Sequence, residues 1–513
     1  MTPDPIARTL CARAAARLAA LPPQSLDDLV ADTVFFERQR LERIEDPAYE
    51  ALIDAAARTL RHDDRAARQA ALLRLVEHYA GEIHNPFSPR TYRFATSVLP
   101  GALTRLLSAS RGRDLFTRDF DPASRIRLSG PLAELLSLIE RGATLILAPT
   151  HVSNLDSPLI GYALYAAGLP PFAYGAGLNL FSNPVMAPFM RRLGAYTVDR
   201  TKKNRLYKDT LKDYSVTTLR RGGHSLFFPG GTRSRSGRLE QRLKKGLLGT
   251  GIIAWQENLR DGVTRSGPLA ADIFVVPCTL SIALVLEAET LIADALAEEG
   301  KQRYIIMDDA FSDGRQVASF TRRLLQLDAP VHAVFGAPMD LVGNPIDHEG
   351  RSLSPQGTPV DRRAYVVGRD GRPVADEQRD QVYTERLSTQ LTSAYRRDFV
   401  VQSTHLGAWG VWEALRRRHP GRDTWQLVRL PAEDRLLDRS TVEHTIAEAL
   451  AALAGYPRHL PGGAAAILDE AIERFSHFHK KRAIELVSGG KMQVSPELCL
   501  YYRNRLVGHG IGR

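Results

Sequence analysis

The stretch ATLILAPTHVSNLDSPLIGYALYAAGL, Ala143 to Leu169, decides the fold. Its first eight residues, Ala143 to Thr150, are apolar and read as a strand ending in a loop. SPLIGYALYAAGL then reads as a helix with Pro158 in its first turn, where the missing N–H has no intrahelical partner to lose. Working outward, GAYTVDR (194–200), HSLFFPGG (224–231) and IFVVPCTLSIALVL (273–286) repeat the strand texture. Helical stretches such as 207–220 separate them. Alternating strand and helix predicts an α/β fold class with a largely parallel sheet, over residues 126–335.

The flanks have other textures. Residues 1–125 predict an N-terminal helical domain, with helices from Ile6 to Leu21, Ser25 to Arg40, Asp46 to Leu60 and Asp63 to Tyr79. HNPFSPRTY (84–92) interrupts it with two prolines. Residues 336–513 predict a mixed, mostly helical C-terminal region. A hairpin closes on Asp370-Gly371, and helices run from Asp376 to Asp398, Ser440 to Ala454 and Ala464 to Val487.

Composition excludes several classes. The chain has 513 residues, 44% hydrophobic and 25% charged, a globular balance spread over more than one domain. Cys11, Cys278 and Cys499 lie far apart, with no CxxC pair and no Cys/His cluster. That argues against a zinc module or disulfide framework, and for a reducing compartment with no metal cofactor. The longest apolar run, Ile273 to Leu286, has fourteen residues. A spanning helix needs about 18–20, so a buried strand is expected. Arg8, Arg13 and Arg17 leave no room for a signal-peptide apolar core, and an amphipathic helix is expected there.

The net charge is +10, and ten lysines leave 68 − 10 = 58 arginines among the basic residues. Arginine is diffuse. Six of the ten lysines (Lys202, Lys203, Lys208, Lys212, Lys244 and Lys245) fall within 44 residues. They make either a solvated basic helix face or a local field for phosphates, an acidic protein or an anionic surface. No aromatic-interleaved basic motif is present, so nucleic acid is not an expected partner. Ser157 to Met190 runs for 34 residues without a charge and contains five prolines, which rules out a single spanning helix. It reads as core, as the lining of an apolar cavity, or as a bilayer contact.

Two constellations carry chemistry. Of fourteen histidines, only His151 has an aspartate, Asp156, five positions later. On a continuous helix the two side chains would stand about 140° apart and could not meet. A loop at His151 leading into a helix near Asp156 lets the carboxylate reach the ring. That is the base and orienter of acyl-transfer chemistry. Asp156 ahead of Ser-Pro would equally serve as a helix N-cap. There is no GxSxG and no cysteine in a reactive setting, so the base would act directly on a substrate hydroxyl. The second constellation is FFPGGTRSRSGRL (227–239). A Pro-Gly-Gly turn offers backbone amides, and Thr232, Arg233, Ser234 and Arg235 add hydroxyls and forked guanidiniums suited to phosphate.

In this order, PTHVSNLD, AGLNLF…GAYTVDR, FFPGGTRSRSG and VVPCTLS resemble the four motif blocks of the glycerolipid acyltransferases. Ala176 to Leu180 and Gly230 to Gly237 are similar to the branch that acylates glycerol 3-phosphate or dihydroxyacetone phosphate. YYRNRL (501–506) is similar to that branch's tail. The resemblance implies His151 as general base with Asp156 as its partner. It implies Arg200, Gly231, Thr232, Arg233, Ser234 and Arg235 as ligands of the acceptor phosphate, Lys245 as a further ligand, and Pro277 beside the acyl chain. One departure stands out: the third block usually has a glutamate where this chain has Gly230.

The expected activity is transfer of a fatty acyl group from a thioester, acyl-CoA or acyl carrier protein, to a hydroxyl of glycerol 3-phosphate. A 1-acyl-glycerol-3-phosphate or dihydroxyacetone phosphate acceptor, or a silent relative that binds phosphates or lipid head groups, are the alternatives. The product is an amphiphile, so peripheral attachment to the inner, cytoplasmic face of a membrane is expected, through the lysine cluster. The same lysines could instead recruit an acidic acyl carrier protein.

Overall fold

The computed structural model describes residues 5–94, 96–97, 126–178, 187–285, 287–299, 331–476, 479 and 482–511. Seven strands form one sheet: β1 (Ile126–Ser129), β2 (Thr144–Pro149), β3 (Ala173–Gly177), β4 (Ala195–Val198), β5 (Ser225–Leu226), β6 (Ile273–Ile282) and β7 (Val331–Phe335). Their order is β1-β7-β6-β2-β5-β3-β4. All neighbours are parallel except β6 and β7. The fold class is therefore α/β, and the strand runs expected at Ala143, Ser225 and Ile273 are adjacent. Every residue of β2 and β6 is buried, which is why both lack the polar alternation of a half-exposed strand. Pairing of β5 stops early because the chain turns at Pro229. Pro277 sits at the open end of the β6–β7 ladder, where its missing N–H costs a single terminal bond.

Four helices precede the sheet: α1 (Pro5–Ala20), α2 (Pro23–Leu41), α3 (Pro47–Thr59) and α4 (Arg65–Ile83). Asp46 and Asp64 cap α3 and α4 by accepting from the Tyr49 and Ala67 amides. Around the sheet run α5 (Leu132–Glu140), α6 (Asp156–Ala166), α7 (Arg205–Arg220), α8 (Thr250–Asp261) and α9 (Ala288–Glu299). The core of the first four helices continues into Tyr196 of β4 and Leu206, Tyr207 and Tyr214 of α7. The bundle is thus docked on that edge of the sheet. Arg13 adds ion pairs to Asp213 and Glu257, at 3.1 and 2.7 Å.

After β7 come α10 (Glu377–Asp398), α11 (Ser403–Arg418), α12 (Arg439–Ala452), α13 (Ala464–Ser476) and α14 (Pro496–Arg503). Ser403 to Leu415 of α11 are all buried, and Thr404 Oγ1 donates to Ala283 O at 2.6 Å just past β6. This helix is absent from the sequence reading, because burial all round leaves it no polar face and no amphipathic period. The helix expected from Ala464 to Val487 ends at Ser476. Ile484–Val487 is instead a strand paired antiparallel with Lys491–Val494 across Gly489 and Gly490, both with positive φ. No described helix is long and apolar enough to cross a membrane.

Candidate active site

β2, β4 and β5 are parallel, so the chain leaves all three at the same end of the sheet, where α/β proteins place their ligands. After β2, the Thr150 amide donates to Cys278 O at 2.9 Å and Thr150 Oγ1 accepts from the Leu280 amide at 3.0 Å. These bonds extend the ladder to the residue before His151. The loop then turns back on itself. Asp156 Oδ2 accepts from the Val152 amide at 2.5 Å, the Ser153 amide at 2.9 Å and His151 Nδ1 at 2.8 Å. Asp156 is fully buried and opens α6, but its carboxylate serves the loop and not the helix amides. The N-cap alternative does not hold. The carboxylate accepts the Nδ1 proton, which leaves Nε2 as the basic nitrogen of the neutral ring. The ring stacks on Phe228, centroids 4.2 Å apart.

The Pro-Gly-Gly turn after β5 is tied to this loop. The Ser234 amide donates to His151 O at 2.9 Å. Arg233 Nη1 reaches Glu287 Oε1 at 3.4 Å, and Glu287 accepts from Ser153 Oγ and the Asn154 amide at 2.9 Å each. Gly231 has φ +79°, and a Cβ there would lie 2.6 Å from Lys244 Cδ. The positive φ of the turn is what disfavours a side chain there. Arg200, just beyond β4, is exposed overall, yet burial around its guanidinium and then the charge of Arg233 lower its pKa. Among the described residues it has no hydrogen-bond or ion-pair partner.

The remaining expected residues are spread out. Thr232 is exposed on the same turn, and Ser234 Oγ is used internally, donating to Arg238 O at 2.6 Å. Arg235 pairs with Glu298 at 3.0 Å. Pro277 pairs with Ala148, one strand over and three residues before His151. Lys245 is ion-paired with Glu385 of α10, and the lysine lying over Gly231 is its neighbour Lys244. Of the second motif block, Asn179 and Leu180 lie outside the described residues. So does part of the uncharged stretch, whose described portions include α6, β3 and the start of a short helix, Ala187–Arg192.

Lys202 requires a correction. It was grouped with surface lysines, but it is 3% exposed. Its Nζ lies 4.7, 4.5 and 5.5 Å from the ring centroids of Tyr49, Tyr79 and Tyr207, and it is ion-paired with Glu82. Two residues from Arg200, it plugs the loop into the N-terminal bundle. Lys203, Lys208, Lys212, Lys244 and Lys245 remain exposed.

The tail resembling that of the glycerol-phosphate branch packs on the same turn. Gly237 has φ +80°, and a Cβ there would fall 2.0 Å from Tyr501 O. Asn504 Nδ2 donates to Ser236 O at 2.8 Å. Sequence reasoning missed Phe228, Glu287 and Glu240 as parts of the site. Glu287 had a signal, since it closes the apolar run after β6 at the strand end where the loops gather.

Residues 134–281 match the family model described as Acyltransferase, a span that holds the histidine loop, Arg200, the glycine turn and Pro277. Over that span the chain is similar to acyltransferases. A protein named glycerol-3-phosphate acyltransferase from Actinobacillus pleuropneumoniae serotype 3 is 31% identical over 248 residues, 48% of this chain and 26% of that one. Proteins of the same name from Haemophilus ducreyi and Pseudomonas savastanoi pv. phaseolicola are 30% identical over 257 residues and 31% over 223. The matches cover 50% and 42% of this chain and 28% and 24% of those relatives. The chain thus spans about a quarter of the length of the curated relatives it matches. Within the acyltransferase domain, burial and then the charge of Asp156 push the Cys278 thiol up, so it is no thiolate nucleophile.

Proposed function

We propose that the protein transfers a fatty acyl group from a thioester, acyl-CoA or acyl carrier protein, to a hydroxyl of glycerol 3-phosphate, with no metal or prosthetic group. The observation that carries this reading is the pairing of an Asp156-oriented histidine with a turn that presents Arg233 beside Arg200. His151 Nε2 takes the hydroxyl proton as the oxygen attacks the thioester carbonyl. The C–O bond forms, the C–S bond breaks, and the imidazolium returns the proton to the departing thiolate. Asp156 holds the tautomer and stabilises the transient cation. Arg200 and Arg233 grip the acceptor phosphate, which supports a phosphorylated glycerol over free glycerol.

The test offers purified protein both donor types with glycerol 3-phosphate, dihydroxyacetone phosphate, 1-acyl-glycerol 3-phosphate and glycerol. Acyl transfer to glycerol 3-phosphate, and none to glycerol, is expected. Transfer to none of them would overturn the reading. Peripheral attachment to an anionic membrane surface belongs to the same proposal. Its basis is the exposed Lys203, Lys208 and Lys212, without Lys202.

A further inference from the structure

Glu240 is a carboxylate that the mechanism above leaves unused. It follows the arginine turn by a few residues, and the chain brings it back beneath His151. Glu240 Oε1 accepts from the His151 amide at 2.6 Å, while Oε2 is buried with no hydrogen-bond partner. The room it occupies exists because residue 230 is glycine. A Cβ at position 230 would stand 2.9 Å from Glu240 Cγ and 3.3 Å from Oε1. Gly230 does not have a positive φ, so its backbone does not itself demand glycine. What demands it is the side chain of Glu240.

We infer that Glu240 is a positioning residue for His151: it fixes the histidine backbone through the 2.6 Å bond, and it does so from the space that a side chain at position 230 would fill. Positions 230 and 240 are therefore alternative seats for one carboxylate beneath the loop, and this chain uses the second. Burial raises the Glu240 pKa, with the His151 amide and the charge of Arg505 opposing that shift, as befits a carboxylate held for its geometry. As a statement about catalysis this rests on the acyl-transfer reading. As a statement about the loop it does not.

The test is a cycle of Glu240→Ala, Glu240→Gln, Gly230→Glu and Gly230→Glu/Glu240→Ala. Alanine removes the acceptor of the His151 amide and frees the space beside position 230, and kcat should fall about 10- to 100-fold with both KM values within about twofold. Glutamine keeps an acceptor and should stay within about threefold of wild type. Gly230→Glu alone should be impaired by the clash, and the double variant should recover at least half of the logarithmic loss in kcat. A merely structural glutamate would give no such reciprocal rescue. In parallel, the His151 amide proton is followed in spectra of protein labelled with ¹⁵N-histidine, and assigned by its absence in His151→Ala. It should lie downfield in wild type, glutamine and double variants, and move upfield in Glu240→Ala. An unmoved signal in folded Glu240→Ala, or a double variant no better than Glu240→Ala, overturns the inference. If wild type transfers no acyl group to any acceptor, the functional reading fails, and the amide signal still decides the role of Glu240.

Discussion

The histidine loop and the arginine loop leave the same end of one sheet, yet they are held by different means. The histidine loop is held from within the sheet and its own loops. Asp156, five residues on, satisfies two of its amides and the ring, and Glu287 and Glu240 secure the rest. The arginine loop borrows its rigidity from far away. The Asp199 amide donates to Tyr207 Oη at 2.7 Å, Asn204 Nδ2 reaches Glu37 at 2.6 Å, and Lys202 sits among tyrosines of which two belong to the bundle. The His151–Asp156 pair is thus local to the sheet, while the loop that carries Arg200 is set by residues 37–82. Damage to the first should erase turnover, and damage to the second should loosen the acceptor.

The contrast is broken most severely at His151. His151→Ala should lower turnover by about 10²- to 10⁴-fold at unchanged thermal stability, because the ring stands on a loop. Near wild-type turnover in a folded variant would remove His151 from the chemistry. Next come Arg200→Ala and Arg233→Ala. Each should cost about 1.5–3 kcal/mol of phosphate recognition, read as an acceptor KM roughly 10- to 100-fold higher with donor KM little changed. Equal effects on both substrates would mean that these arginines support the fold instead.

Lys202→Met sharpens the comparison, since it leaves His151, Arg200 and Arg233 in place. Losing the buried cation should cost about 2–3 kcal/mol of stability, discounted because Glu82 is partly exposed, and should raise acceptor KM. An acceptor KM within twofold of wild type would show that Arg200 is held without the bundle. His224 probes the other side. Burial, and then Arg265, lower its pKa to about 4, and its Nδ1 accepts from the Leu145 amide in β2 at 3.0 Å. The unfolded chain binds this proton more tightly, so its contribution is complete above about pH 6.5 and lost as pH falls towards 4. Melting temperature should decline across that window, and His224→Asn should flatten the decline by about 1–2 kcal/mol, read by calorimetry. The smallest effect belongs to the surface. Reversing Lys203, Lys208 and Lys212 should weaken binding to anionic vesicles several-fold at low salt, with less difference as salt rises. Unchanged vesicle binding together with a higher KM for acyl carrier protein would assign these lysines to the donor.

What the sequence made legible was local. The strand at Ala143, the fold-back from His151 to Asp156 and the Gly-Gly turn each lie within about ten residues and carry their own punctuation. What it hid was set by distant packing. Lys202 looks like any lysine in a basic run until three tyrosines and Glu82, from three separate segments, close around it. The α11 helix has no period because it has no wet face. Glycine at position 230 reads as a missing carboxylate, and only the folded chain reveals that Glu240 fills the gap.

The contact of Gly237 with Tyr501 has a temporal consequence. The arginine turn cannot gain its packing against the carbonyl of residue 501 until that residue is made, more than 260 residues later in the chain. A ribosome working at 5–20 residues per second needs roughly 13–50 s to cover that distance. During this interval the sheet and its histidine loop can be complete while the arginine turn lacks its floor. A nascent chain would therefore form its His151–Asp156 pair well before the turn could pack against Tyr501.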